Sequence, residues 1–169
     1  MAFSSIAAPS FDFGTDSPPT SWRILNDGVM GGLSQGKIIP QDSYIRYEGR
    51  ISLENNGGFS SIRSPWGKWD LSESETVRLR VRGNAKFALT LAVSPRWYEP
   101  NFKQSFQPDS EEWQEFVFPL NDFQPHRIGR KIGERMTPEQ RQQVLRFGII
   151  TDEKQARDFW LEVDYLRVE

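Results

Sequence analysis

The sequence predicts an all-β fold, a single antiparallel β-sandwich of jelly-roll type carrying one short helix. Three observations lead there. Aromatic residues are abundant, with 12 Phe, 6 Trp and 4 Tyr. Turn formers are frequent too, with 13 Gly and 11 Pro, and aromatics interrupted by turns favour short strands over helices. Several segments alternate apolar and polar residues with period two, the pattern of a strand with one face in the core and one in water.

Residues 1–10 are small and polar and are expected to form a loose terminus before one domain over 11–169. Phe11-Asp12-Phe13-Gly14 reads as a first edge strand, Ser17-Pro18-Pro19-Thr20 as a turn, and 22–25 as a short apolar segment. Residues 26–34 hold too much glycine for a regular element. Residues 43–53 alternate, with Tyr44, Arg46, Glu48 and Arg50 outward. Ile45, Tyr47, Gly49, Ile51 and Leu53 then face the core. Asn55-Asn56-Gly57-Gly58 is the strongest hairpin signal, because Asn-Gly tolerates positive φ, and 59–63 is the expected returning strand. Residues 65–70 read as a Trp-bearing loop. Val77, Leu79 and Val81 point inward between Arg78, Arg80 and Arg82. Phe87, Leu89, Leu91 and Val93 form a second inward set, followed by an aromatic loop at 95–100. Segments 102–106 and 113–119 are strands, and 121–136 is the longest irregular stretch. Thr137 as N-cap, Pro138 at the first helical position and Gln140 completing a capping box predict a helix over 138–145. Strands at 147–151 and 159–168 close the chain.

Composition excludes several functions. The absence of cysteine removes disulfides, thiolate metal sites and a thiol nucleophile. His126 is the one histidine, so a multi-histidine metal site is excluded. Lys and Arg number 21 against 23 Asp and Glu, a net charge of −2, which argues against a nucleic-acid binder. No apolar run approaches the roughly 20 residues of a membrane span, and 1–9 lack the parts of a secretory signal. The expected place is the cytoplasm, or a stroma or matrix, without secretion or membrane insertion. No nucleophile elbow, Walker loop or dinucleotide fingerprint occurs, so neither an enzyme activity nor a cofactor is expected.

The run Asn26-Asp27-Gly28-Val29-Met30-Gly31-Gly32-Leu33-Ser34, preceded by Trp22, resembles the signature of the complex I intermediate-associated protein 30 family. Gly49-Arg50-Ile51-Ser52-Leu53-Glu54-Asn55-Asn56-Gly57-Gly58-Phe59-Ser60-Ser61-Ile62-Arg63 is similar to a second family block. Arg80-Val81-Arg82-Gly83, the stretch from Trp113 to Pro119 with Phe123, Pro125, Gly129 and Arg130, and the closing Phe159-Trp160-Leu161-Glu162-Val163-Asp164-Tyr165-Leu166 follow in the family's order. Two departures stand out. Asn84-Ala85-Lys86 replaces a Gly-Asp-Gly-like turn, and Arg157-Asp158 stands where a glycine precedes the closing strand. The resemblance implies a galactose-binding-like jelly roll. It also implies a non-catalytic, chaperone-like assembly factor that binds intermediates of a membrane-associated redox complex, respiratory complex I-like or photosynthetic. Its partners would be subunits or other assembly factors of that complex. A carbohydrate- or small-ligand-binding module of the galactose-binding type is the alternative. The family offers no established catalytic residues.

The candidate partner or ligand surface comprises Asn26, Asp27, Met30, Ser34, Asn55, Asn56, Arg63, Arg78, Arg80, Arg82, Trp97 and Trp160. Each has a structural reading beside the functional one. Asn26 and Asp27 bond nearby backbone or meet a partner, and Met30 plugs the core or faces out. Glu54 and Arg63 pair across the turn, or Asn56 and Arg63 line a polar rim. Arg78, Arg80 and Arg82 cancel against Glu162 and Asp164 if the two strands are neighbours, and form a patch for an acidic partner if they are not. Trp66, Trp69, Trp97 and Tyr98 pack inward or stand at the rim as anchors. The loop with His126, Arg127, Arg130 and Lys131 is solvated or docks an acidic surface.

Overall fold

The computed structural model describes residues 8–14, 21–96, 99–127 and 130–169, leaving aside the side chains of 29 and 30. Among the described residues thirteen strands, numbered in chain order, form two sheets. The first runs β3 (Gln35–Pro40), β4 (Ile45–Ile51), β13 (Arg157–Val168), β6 (Thr76–Gly83) and β9 (Gln114–Pro119), with β1 (Ser10–Asp12) on the second half of β13. The second runs β11 (Arg130–Lys131), β10 (Gln124–Arg127), β8 (Asn101–Phe106), β7 (Phe87–Ala92), β12 (Arg146–Thr151), β5 (Ser60–Arg63) and β2 (Arg23–Asn26). Each of these pairings is antiparallel. The β-sandwich expected from the alternating pattern is the fold.

The core lies between the sheets. Ile45, Tyr47 and Ile51 of β4, Val77, Leu79 and Val81 of β6, and Leu161 and Val163 of β13 meet Phe87, Leu89 and Leu91 of β7 and Phe147 and Ile149 of β12. Phe159 stands edge-on to Tyr47, with ring centroids 5.0 Å apart, and such aromatic pairs add to the burial of apolar area. The register of β13 on β6 slips between Val163 and Tyr165. This bulge at Asp164 moves the inward set to Leu166 and Val168, so both halves of the strand keep an apolar face inside.

Five expectations need correction. Asn55-Asn56-Gly57-Gly58 makes no hairpin, because β4 and β5 belong to different sheets. Asn55 and Asn56 do take positive φ, 56° and 57°, but they turn the chain from one sheet to the other. The helix is one turn, Pro138–Arg141, held by the expected Thr137 capping box. It stops because Val144 is buried and bridges to Trp69. Leu53 is 44% exposed rather than in the core, since β4 ends at Ile51. Strand β3 adds to the expected set, and the stretch 121–136 contains the β10–β11 hairpin. Pro9 and Ser10 are fixed at the start of β1, where Pro9 O accepts from Val168 N at 3.0 Å. Residues 1–7 and the expected turn at 17–20 lie outside the described residues.

The two departures from the family pattern meet in space. Asn84 Oδ1 accepts from Trp160 N at 2.8 Å and Asn84 O accepts from Arg157 Nη2 at 2.8 Å. Asn84 thus ties both Arg157 and Trp160 at the start of the closing strand.

Candidate functional site

The glycine-rich run at 26–34 is organised by a buried carboxylate. Asp27 is fully buried. One oxygen accepts from Ser34 N at 2.9 Å, and the other from Ser34 Oγ at 2.5 Å, Gly58 N at 2.6 Å and Phe59 N at 3.2 Å. Burial pushes its pKa up, but the bonds from Ser34, Gly58 and Phe59 outweigh that and hold it below the usual carboxylate range. Ser34 Oγ also accepts from Ser52 N at 3.0 Å, and Asn26 Oδ1 accepts from Ser60 Oγ at 2.5 Å. The two signature blocks are thereby locked together. Asp27 and Ser34 act inside, whereas Leu33, Leu53, Asn55 and Asn56 are exposed.

The outward face of the first sheet is charged but self-compensated. The β4–β13–β6 register sets Glu162 between Arg46 and Arg82, and it bonds both. Arg80 meets Asp164 at 2.7 Å, and Arg78 meets Glu115 at 2.6 Å and Glu169 at 2.7 Å. The arginine stripe and the acidic stripe thus share one face and pair across strands. Arg78, Arg80 and Arg82 are not free cations. Trp160 is half-buried with the Arg46 guanidinium 4.6 Å above its ring, and Trp113 receives Arg80 and Arg82 in the same way, each at 4.9 Å. A shallow groove of about 260 Å³ lies beside Trp160, between Lys37, Glu48 and Asp158.

The outward face of the second sheet is different. Its pairings align Lys103, Thr90, Gly148, Arg63 and Arg23 in one row. Asn101, Ala92 and Arg146 form the adjacent row. Lys103 is held by Asp152 at 3.1 Å. Arg63 and Arg146, both half-buried, have no carboxylate partner among the described residues. The expected Glu54–Arg63 pair does not form: Glu54 sits in the exposed turn after β4, whereas Arg63 ends β5 in the second sheet. Burial, with the nearby Arg146 charge adding to it, pushes the Arg63 guanidinium down to about 10. Burial lowers Arg146 as well. Arg146 lies over the ring of Trp66, 3.8 Å from its centroid, and Trp66 is 52% exposed. The shelf between Arg63, Arg146, Thr90 and Asn101 encloses about 40 Å³.

The structure therefore brings Arg63 of the candidate residues together with Arg146, which sequence reasoning left out, and with Trp66, which it weighed as a rim anchor without placing it on the candidate surface. Their signal was present as alternation around Phe147, but placing Arg146 near Arg63 requires the β5–β12 register. Trp97, Tyr98 and the Met30 side chain lie outside the described residues. Trp69 packs inward on Phe11 and Phe147. His126 sits on β10 with Nδ1 2.9 Å from Gln124 O. Among the described residues no group of three or more His, Asp or Glu could hold a metal ion, and no helix is long and apolar enough to cross a membrane.

A family model described as Complex I intermediate-associated protein 30 matches residues 11–163, nearly the whole chain. The protein belongs to the complex I intermediate-associated protein 30 family. The Asp27 lock and Arg63 fall within the matched residues. No curated protein sequence matches significantly. Among solved structures, the family 11 carbohydrate-binding module of the cellulosomal cellulase Lic26A-Cel5E of Clostridium thermocellum is similar over 97% of this chain and 95% of its own, with a TM-score of 0.67 and 11% identity. A mutant of CBM29-2, a family 29 carbohydrate-binding module, aligns over 95% of this chain and 83% of its own, with a TM-score of 0.56 and 9% identity. An agarase, AgWH50C, matches 96% of this chain with 26% of its own, at a TM-score of 0.63 and 11% identity. At such identities the likeness is one of fold.

Proposed function

We propose that this protein is a non-catalytic assembly factor that binds intermediates of a membrane-associated redox complex, respiratory complex I-like or photosynthetic. Family membership supports the assembly role. The observation that carries the choice of surface is the pair of half-buried, unneutralised arginines beside an exposed tryptophan on the second sheet. Arg and Trp are the residues in which interface binding energy concentrates. A guanidinium removed from water without a counter-charge gains most when a partner supplies one. The first sheet offers no such opening, since its arginines are already paired.

The carbohydrate-binding alternative draws on the groove beside Trp160. One face of that ring is already covered by Arg46, which leaves less of it for a sugar to stack on. The two readings separate in one experiment. Tagged protein is recovered from its native host after mild crosslinking, and co-purifying proteins are identified by mass spectrometry. The assembly reading expects subunits or assembly factors of a respiratory or photosynthetic complex, reduced when Trp66 is replaced by Ala. A preparation without such subunits, together with glycan binding abolished by Trp160→Ala, would overturn it.

A further inference from the structure

The outer face of the second sheet carries a positive charge that the chain as a whole does not, since the net charge is −2. Among the described residues Arg63 and Arg146 lack a counter-charge although both are half-buried, where an unpaired charge is costly. They flank a floor without side chain. A Cβ on Gly148 would lie 2.6 Å from Thr90 Oγ1 and 3.2 Å from Ile62 O, so only hydrogen fits between these neighbours, and Gly148, Thr90 and Arg63 together line a small hollow. That hollow is about 40 Å³. It is far below the ~300 Å³ at which small-molecule pockets begin. A sugar ring is too large for it, whereas a carboxylate is small, flat and matched to the guanidinium fork.

Resting on the protein-binding reading above, we propose that Arg63 and Arg146, over the Gly148 floor, form a subsite for an Asp or Glu side chain in an acidic segment of the partner. Trp66 holds the Arg146 guanidinium against its ring. The bound carboxylate supplies the counter-charge that the sheet lacks. The site suits an acidic polypeptide better than a nucleic acid. A phosphate backbone is bound through a long run of cations, while here the row offers only Arg23 and Arg63 with Arg146 beside them, Lys103 being neutralised by Asp152.

The test uses the full chain with arginine side-chain Nε–H signals followed by NMR at fixed ionic strength. The probes are a short Gly/Glu peptide, its Gly/Gln counterpart and an oligouridine. The Glu peptide is expected to shift the Arg63 and Arg146 signals while leaving Arg78 and Arg80 in place, and the Gln peptide to shift none of them. Arg63→Gln and Arg146→Gln should each weaken binding of the Glu peptide about tenfold, the usual scale for losing one charge-assisted contact. Neither variant removes an intramolecular ion pair, so each is expected to melt like the parent. Gly148→Ala, with both arginines kept, should also lose the peptide by filling the floor. Equal binding of the Gln peptide, retained affinity in both arginine variants, or tighter binding of oligouridine at the same salt would overturn the subsite. Recovery of complex subunits from the host despite such a result would leave the assembly reading standing. Peptide binding without any subunit recovered would instead overturn the assembly reading and leave the subsite.

Discussion

Asp27 holds more of the loop structure than any neighbouring residue. Its carboxylate takes four hydrogen bonds while fully buried and without a cation, so it behaves as an internal anion solvated by backbone and hydroxyl groups. Asp27→Asn puts an amide N–H₂ toward donors, and we expect a loss of about 3 kcal/mol, read by urea denaturation. The pH dependence has a definite sign. The folded pKa of Asp27 lies below its unfolded value, so the stabilisation is present above the usual carboxylate range and fades as pH falls through the folded pKa. Acid unfolding of the Asn variant should accordingly be less steep in that window than that of the parent. Arg63 predicts the reverse in stability. Arg63→Gln removes a half-buried charge with no partner among the described residues, and stability should stay within about 1 kcal/mol of the parent or rise. A large loss would mean that the arginine serves the fold.

At the scale of elements, close approach decides where glycine is required. Gly49 of β4 faces Gly36 of β3, and a Cβ at Gly49 would lie 2.0 Å from Gln35 O. Gly49→Ala should push β3 from the sheet edge and cost about 2–3 kcal/mol, with faster amide exchange in Gln35–Pro40 as the direct readout. The one-turn helix depends on its cap. Thr137→Ala should cost about 1 kcal/mol, seen as a lower melting temperature. Elements were legible in the sequence where a single period governed them. The alternation in β4, β6 and β7 marks which side faces the core, and the Thr137-Pro138 pair marks the helix start. Legibility failed where tertiary contacts override local chemistry. The Asn-Gly turn adopts the φ values that it suggests, but Asp27 grips Gly58 and Phe59 and draws the chain into the opposite sheet. Helix residues beyond Arg141 yield to the buried Val144 bridge. Edge strand β3 carries Gly36 and Pro40, both poor strand formers, and is held by β4 rather than by its own pattern.

Across the whole molecule, function separates by sheet. The first sheet neutralises itself: the Arg80–Asp164 and Arg82–Glu162 pairs were foreseeable as stripes, and their partnership followed once β6 and β13 became neighbours. The second sheet carries the unmatched pair, which no local pattern announces. Arg63 and Arg146 are far apart in sequence, and only the β5–β12 register brings them to one face. The family, by contrast, was readable from the two signature blocks, because they encode a rare arrangement: a buried aspartate gripping two glycine-rich turns. The central claim is that partners engage the second sheet. The most direct test places a photo-crosslinking amino acid at Trp66, and separately at Val117, an exposed residue on the outward face of the first sheet, in the native host. Adducts with subunits or assembly factors of a redox complex are expected from position 66 and none from position 117. Adducts from position 117 with none from position 66 would contradict it.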